Sequence, residues 1–101
     1  MSNDKILSYL GLCRKAGKLI CGTELATDAI RHNKAVMAFT AADASDNTKK
    51  RIEDGCKYRN VGYAVLPFTC SQVGAAVGKS GGIAAAVITE QNFADMIKKL
   101  L

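Results

Sequence analysis

The fold is decided by the stretch GTELATDAIRHNKAVM at residues 22–37, which has the pattern of a tight turn, a helix and a buried strand. Glycine permits a sharp turn at Gly22, and Thr23 is a favourable helix N-cap. A helix that begins there presents free backbone N–H groups and a partial positive charge, which makes it a candidate seat for a phosphate. The alternative interpretation is the solvated first turn of an ordinary α/β helix.

Helices and short apolar strands alternate on both sides of this stretch. Apolar spacing predicts a first helix at about 3–15, capped by Ser2 or Asn3 and stopped by Gly17. The elements predicted after it are, in order, an edge strand at 19–21, a helix at 23–33, a buried strand at 35–40, a helix at 48–59, a strand at 63–66, a short helix around 73–77, a buried strand at 83–88 and a C-terminal helix. This alternation predicts an α/β protein, an α/β/α sandwich with a mixed or parallel sheet.

The same spacing assigns side chains to faces of the helices. The predicted core positions on helices are Ile6, Leu7, Leu10, Cys13, Ala26, Ala29, Ile30, Ile52, Cys56, Val73, Ala76, Val77, Phe93, Met96, Ile97, Leu100 and Leu101. The cations Lys49, Lys50, Arg51 and Lys57 are predicted to point largely outward.

Composition and charge limit the possible functions. With 101 residues and 49% apolar content, residues 1–101 are expected to form a single domain with one core. Fourteen Lys and Arg against nine Asp and Glu give a formal net charge of +5, which favours polyanions as partners. The four cysteines show no metal-ligand spacing. They predict free thiols in a reducing cytoplasm, and we expect neither a signal peptide nor a membrane span.

Two patterns hint at chemistry, and neither predicts an enzyme. The run GAAVGKS at residues 74–80 is one residue short of a phosphate-binding P-loop and has the pattern of a helix. His32 is the only histidine, and its neighbours Arg31 and Lys34 favour an exposed ring or a phosphate contact. Glu24 and Asp28 are expected to form a pair on the helix surface.

Several segments together resemble a known family. They are Leu10-Gly11-Leu12 with Arg14-Lys15-Ala16-Gly17-Lys18, Gly22 with Ile30-Arg31, the run from Asp43 to Lys50, the run from Val73 to Lys79, and Phe93-Ala94. Over nearly its whole length the chain resembles the kink-turn-binding ribosomal-protein superfamily, the L-seven-Ae and L-thirty-e group, and most closely its small bacterial YlxQ-type branch.

The resemblance implies a three-layer α/β/α domain around a small mixed sheet, no catalysis, no cofactor, and structured or ribosomal RNA as the partner. It also implies that RNA is bound by the turn and first residues of the second helix and by an apolar loop before the fourth. The branch tends to be encoded beside transcription and translation factors, which suggests translation-associated proteins as further partners. The implied RNA-binding positions are Lys18, Gly22, Thr23, Glu24, Leu25, Asp28, Arg31, His32, Lys34, Phe68, Thr69 and Cys70. Phe68 would either stack on an unpaired base or anchor the loop as a core ring.

The chain departs from the family pattern at the recognition turn. Where kink-turn readers carry an Asn-Glu pair followed after three residues by Lys, this sequence has Glu24, Leu25 and Asp28. Two carboxylates in a region meant for phosphates should weaken RNA binding. A protein-interaction module that has kept the fold and lost kink-turn specificity is therefore the alternative function.

Overall fold

The predicted α/β architecture is confirmed by the structure, a computed structural model that describes residues 2–101, with side chains from residue 5 onward. The side chains of Ser2 and Asn3, the predicted helix caps, lie outside this part. The elements are α1 (Ser2–Lys15), β1 (Leu19–Cys21), α2 (Thr23–Arg31), β2 (Met37–Thr40), α3 (Asp46–Arg59), β3 (Gly62–Val65), α4 (Cys70–Val77), β4 (Ala85–Ile88) and α5 (Gln91–Leu100).

The sheet is mixed and has the strand order β1-β4-β2-β3. β4 is antiparallel to β1 and β2, with Ile88 opposite both Leu19 and Met37, and β3 is parallel to β2. Strands β1, β2 and β3 therefore run in the same direction, and their carboxyl ends share one end of the sheet with the start of β4. We call this the Gly22 end, and the opposite one the Lys18 end.

Helices cover both faces of the sheet. Because side chains alternate along a strand, Met37 and Phe39 face a core shared with α1, α4 and α5, whereas Ala38 faces one shared with α2 and α3. All of β2 and β4 is buried, which explains the continuous apolar runs of their sequences.

Some ends of the elements differ from the predictions, by up to three residues. Gly22, not Thr23, is the N-cap of α2, and its φ of 110° lies in the region that glycine tolerates best. α3 begins at Asp46, two residues earlier than expected, because the Ser45 hydroxyl accepts the backbone N–H of Thr48. The predicted stop at Gly17 is confirmed: its φ is 74°, and the following N–H, of Lys18, donates to the carbonyl of Cys13 at 2.9 Å.

Two predicted core positions were wrong. Met96 and Leu101 are 41% and 51% exposed, because α5 packs through a narrower stripe in which Ala94 and Ile97 are buried. Ala76 is half-buried. The fully buried small residue of α4 is Gly74, which lies against the loop leading to β4.

Candidate nucleic-acid interface

Three helices begin at the Gly22 end of the sheet, because each follows a strand that runs toward it. α2 follows β1, α3 follows β2 and α4 follows β3. The first turns of a helix carry free backbone N–H groups and a partial positive charge. The topology therefore brings three such ends to one side of the molecule.

Two of these three helix starts already have partners. The Thr69 hydroxyl accepts the N–H of Gln72 at 3.1 Å, and a carboxylate oxygen of Asp43 accepts the N–H of Cys70 at 2.7 Å. The hydrogen bonds from Cys70 hold the pKa of Asp43 below its ordinary value. At α3, the Ser45 hydroxyl likewise accepts one of the free N–H groups of the first turn, that of Thr48. An anion at α4 would have to displace a carboxylate that is already bound.

The start of α2 is open by comparison. Its N-cap is a glycine with no side-chain hydrogen bond, and its first helical bond runs from Ala26 N–H to the carbonyl of Gly22 at 2.8 Å. Within residues 2–101, the N–H groups of Thr23, Glu24 and Leu25 have no hydrogen-bond partner. This is the arrangement that binds phosphate oxygens at the N-terminus of a helix.

Two cations act on Cys21, the residue that precedes this open turn. Both Arg14 and Lys79 are near enough to the thiol of Cys21, the residue before Gly22, to lower its pKa electrostatically. Burial of the thiol outweighs them and raises the pKa of Cys21 above its ordinary value. Lys79 comes from the Gly-rich loop between α4 and β4, so the P-loop-like run contributes a cation here without forming a P-loop.

Most of the basic residues predicted for this surface lie elsewhere. Lys18 precedes β1, so its backbone is about 13 Å from Gly22 at the strand rise. Its carbonyl accepts the N–H of Thr89 at the Lys18 end. His32 and Lys34 follow α2 at that same end, and the His32 ring bonds the carbonyl of Asp28. Arg31 is the last residue of α2, about 12 Å along the axis from Thr23.

The carboxylate of Glu24 is held by α3. The two terminal guanidinium nitrogens of Arg51, Nη1 and Nη2, donate to it at 2.9 and 3.2 Å, in a bidentate ion pair between residues far apart in sequence. Hydrogen bonds and charge from Arg51 hold the pKa of Glu24 below its ordinary value. Asp28 approaches Arg31 at 3.9 Å. Glu24 and Asp28 therefore have cationic partners, and both side chains are exposed, as expected of a pair on the helix surface.

The exposed apolar side chain at this end is not the one that was predicted to contact a base. Phe68 is only 5% exposed and packs in the core under α4, so its ring offers no face to a base, and the loop-anchoring alternative is the correct one. Its carbonyl accepts the N–H of Ala42 at 2.7 Å. Leu25, in the open first turn of α2, is 58% exposed. Thr69 is exposed and Cys70 half-buried, as expected of residues at a surface turn.

Sequence reasoning missed the Glu24–Arg51 ion pair and the position of Lys79. The only signal for Lys79 was the glycine-lysine spacing at residues 74–80. No pattern links Glu24 to Arg51, because their contact depends on how α2 packs against α3.

Other kinds of site find little support in the described part of the chain. Residues 2–101 contain no group of three or more His, Cys, Asp and Glu side chains placed to share a metal ion. All four cysteines are free. Within the same range, the helices are too short and too polar for a membrane span.

Comparison with known proteins agrees with this architecture. Over 100 residues the chain is 36% identical to the RNA-binding protein YlxQ of Enterococcus faecium, covering 99% of this chain and 94% of that one. It is 34% identical to the RNA-binding protein YlxQ of Bacillus subtilis (strain 168), over 100% and 99% of the two chains.

Solved structures share the fold. A protein of unknown function from Bacillus halodurans superposes with a TM-score of 0.89 at 26% identity, covering 95% of each chain. The Giardia lamblia 15.5kD RNA binding protein superposes with a TM-score of 0.78 at 17% identity, over 98% of this chain and 83% of that one.

The family model described as Ribosomal protein L7Ae/L30e/S12e/Gadd45 family matches residues 4–97, nearly the whole chain. This match and the two full-length relatives show that the chain belongs to the L7Ae/L30e/S12e/Gadd45 family, in its YlxQ branch.

Proposed function

We propose that this protein binds structured RNA, without catalysis, at the Gly22 end of its sheet. The observation that carries the proposal is the open start of α2, in a chain whose full-length relatives are named as RNA-binding proteins. Arg14 and Lys79 act electrostatically on the adjacent Cys21 and are the cations we assign to this surface. One RNA phosphate would accept hydrogen bonds from the free N–H groups after Gly22. The two cations would neutralise its neighbours on the backbone.

The apolar contact of this surface is made by Leu25 rather than Phe68. Leu25 is exposed beside the phosphate seat, where it can pack against the face or edge of an unpaired base. Thr69 and Cys70 lie at the same end, in the loop next to this surface, where they would make secondary contacts with the RNA. Their backbone is held in place by Asp43 and Gln72.

Kink-turn recognition is the finer form of this proposal. The Asn-Glu pair that the family uses to read the kinked bases is replaced here by Glu24 and Leu25. The Glu24 carboxylate is engaged by Arg51, so it repels phosphates less than an unpaired carboxylate would. We therefore expect the natural chain to bind RNA but to prefer a kink-turn over other structured RNA only weakly.

The setting proposed for this activity is the cytoplasm, where four free cysteines would stay reduced. Ribosomal RNA, and ribosome or translation-associated proteins, are the partners that fit the family.

The test is a titration of the protein against a kink-turn RNA, a plain duplex and a single strand, each at 50 and 200 mM salt. If four to six phosphates are neutralised, the log–log slope of affinity against salt should be roughly −3 to −5. Replacing Lys79 by Ala should reduce the slope by about 0.9. Lys34→Ala removes the same charge at the Lys18 end and is the matched control, expected to leave the slope nearly unchanged. Absence of binding at low salt, or equal effects of the two variants, would contradict the proposed surface.

A second variant tests kink-turn specificity. Glu24→Asn, Leu25→Glu and Asp28→Lys together restore the family pattern at the recognition turn. This variant should bind a kink-turn on the order of tenfold more tightly than the natural chain, with a much smaller gain for a plain duplex. If the affinity rises equally for the kink-turn and the duplex, or rises for neither, this turn does not read kinked RNA. A protein-interaction module then becomes the preferred function.

A further inference from the structure

A groove separates α2 from α3 on the outer face of the molecule. It encloses about 400 Å³, within the range of pockets that hold one small ligand, and its floor is formed by Ile30 and Gly55. Ile30 is buried, so the floor is apolar. Among the described residues that line this groove, Arg31 is the one predicted RNA-binding position, so the predicted site does not account for the groove as a whole.

Gly55 keeps the groove open. A Cβ atom at this position would contact the Cγ2 of Ile30 at 3.6 Å, so alanine fits, and any longer side chain would extend into the groove. Glycine is unfavourable in the middle of a helix, and α3 extends nine residues before Gly55 and four after it. The helix thus carries an unfavourable residue at the position where a side chain would fill the space.

The rim of the groove combines cations with one exposed aromatic ring. Arg31, Arg51 and Arg59 line it, together with Tyr58, which is 83% exposed. The guanidinium carbon of Arg59 lies 5.3 Å from the centre of the Tyr58 ring. Among the described residues, Arg59 has no ion pair, whereas Arg51 is held by Glu24 and Arg31 approaches Asp28.

We propose that this groove binds a single-stranded segment of RNA that continues from the structured site at the Gly22 end. A base stacks on Tyr58, and the phosphates beside it contact Arg59 and Arg31. This inference rests on the proposed function, because the strand reaches the groove from that site. Arg51 connects the two: it lies on the groove rim and contacts Glu24 in the first turn of α2.

The charge and shape of the groove favour a nucleic acid strand over other occupants. An exposed tyrosine with an adjacent guanidinium is the combination on which unpaired bases stack regardless of their identity. Three guanidiniums against the two nearby carboxylates of Glu24 and Asp28 leave the rim net positive, which suits a phosphate backbone.

The experiment compares the structured RNA that binds best with the same RNA carrying a five-nucleotide single-stranded tail, at its 5′ end in one version and its 3′ end in another. For the natural chain, one of the two tails should raise the affinity roughly tenfold, as expected of one stacked base and its phosphates. Tyr58→Ala should abolish this gain, and Tyr58→Phe should keep it. Neither should change the affinity for the tailless RNA.

Two substitutions at one position separate the groove from the general charge of α3. Gly55→Leu fills the groove without altering any charge and should abolish the gain, whereas Gly55→Ala should retain most of it. Lys50→Ala, which removes an exposed cation of α3 outside the groove, should also retain it. Circular dichroism and thermal unfolding show whether each variant is folded.

A tail that adds no affinity, or a gain that survives both Tyr58→Ala and Gly55→Leu, would overturn the inference. Failure of the underlying proposal gives a different result, since the tailless RNA would then not bind either. If Gly55→Ala loses the gain in affinity from the tail as completely as Gly55→Leu does, the loss results from the change in α3 itself. That result would also contradict the groove as the binding site.

Discussion

Neutralising Glu24 should release Arg51 to contact RNA. In the natural chain both guanidinium nitrogens that face Glu24 are occupied by its carboxylate, at 2.9 and 3.2 Å. Glu24→Gln keeps the length of the side chain and removes its charge. An amide can accept from only one of the two nitrogens, so part of the guanidinium becomes available to a phosphate.

The size of the effect follows from one additional phosphate contact. Each neutralised phosphate of a duplex adds about 0.9 to the magnitude of the log–log salt slope. Between 200 and 50 mM salt, the ratio of the variant's affinity to that of the natural chain should therefore rise by about 3.5-fold. The gain should be greatest at low salt, because the added interaction is electrostatic.

The assay is a titration of fluorescently labelled structured RNA at both salt concentrations. Glu53→Gln is the matched control: it makes the same charge change, but Glu53 pairs with Lys57 in the second half of α3, at 4.0 Å. The control should keep the slope of the natural chain. If Glu24→Gln leaves the slope unchanged, or Glu53→Gln steepens it equally, then Arg51 is not held back from RNA by Glu24, and only net charge matters.

Three further predictions concern stability and the thiols. Gly74→Ala should destabilise the fold by about 1–3 kcal/mol in urea unfolding, because its Cβ would lie 2.7 Å from backbone atoms of Lys79 and Gly82; an unchanged midpoint would mean that this loop yields freely. Gly55→Ala should stabilise it by about 0.5–1 kcal/mol, and a loss of stability would show that the contact with Ile30 is tighter than described. Burial raises the pKa of Cys13 and of Cys56 to about 11, so at pH 8 the reactive thiolate fraction of each is about 100-fold below that of a thiol with the ordinary value of 9.0. A thiol reagent should label Cys70 first, bound RNA should protect it, and equal native-state rates for all cysteines would contradict this order.

The elements of the fold were predictable because their signals are local. The helical spacing around Ile52 and Cys56 identified the buried face of α3, and the short apolar runs that became β2 and β4 identified strands covered on both sides. Their ends were less predictable. The helix was predicted to begin at Thr48, and the hydrogen bond from the Thr48 N–H to the Ser45 hydroxyl, which caps it earlier, forms only when the turn has its final shape.

The candidate site was predictable only in part, for a geometric reason. Gly22 and the open start of α2 follow from a turn and a helix that adjoin in sequence. Lys18 and Lys34, which lie on either side of Gly22 in the sequence, are at the opposite end of the sheet, because a strand and a helix each carry the chain across it.

The amino-acid sequence by itself determined the α/β layers, the family and the glycine that opens α2, since each depends on neighbouring residues or on a pattern along the whole chain. Tertiary structure alone decided which charges meet. It brought Lys79 within electrostatic range of Cys21, paired Arg51 with Glu24, and buried the ring of Phe68 while leaving Leu25 exposed. The physical reason is that electrostatic contact and burial depend on distance in space, and the packing of helices on a mixed sheet sets that distance between residues far apart in sequence.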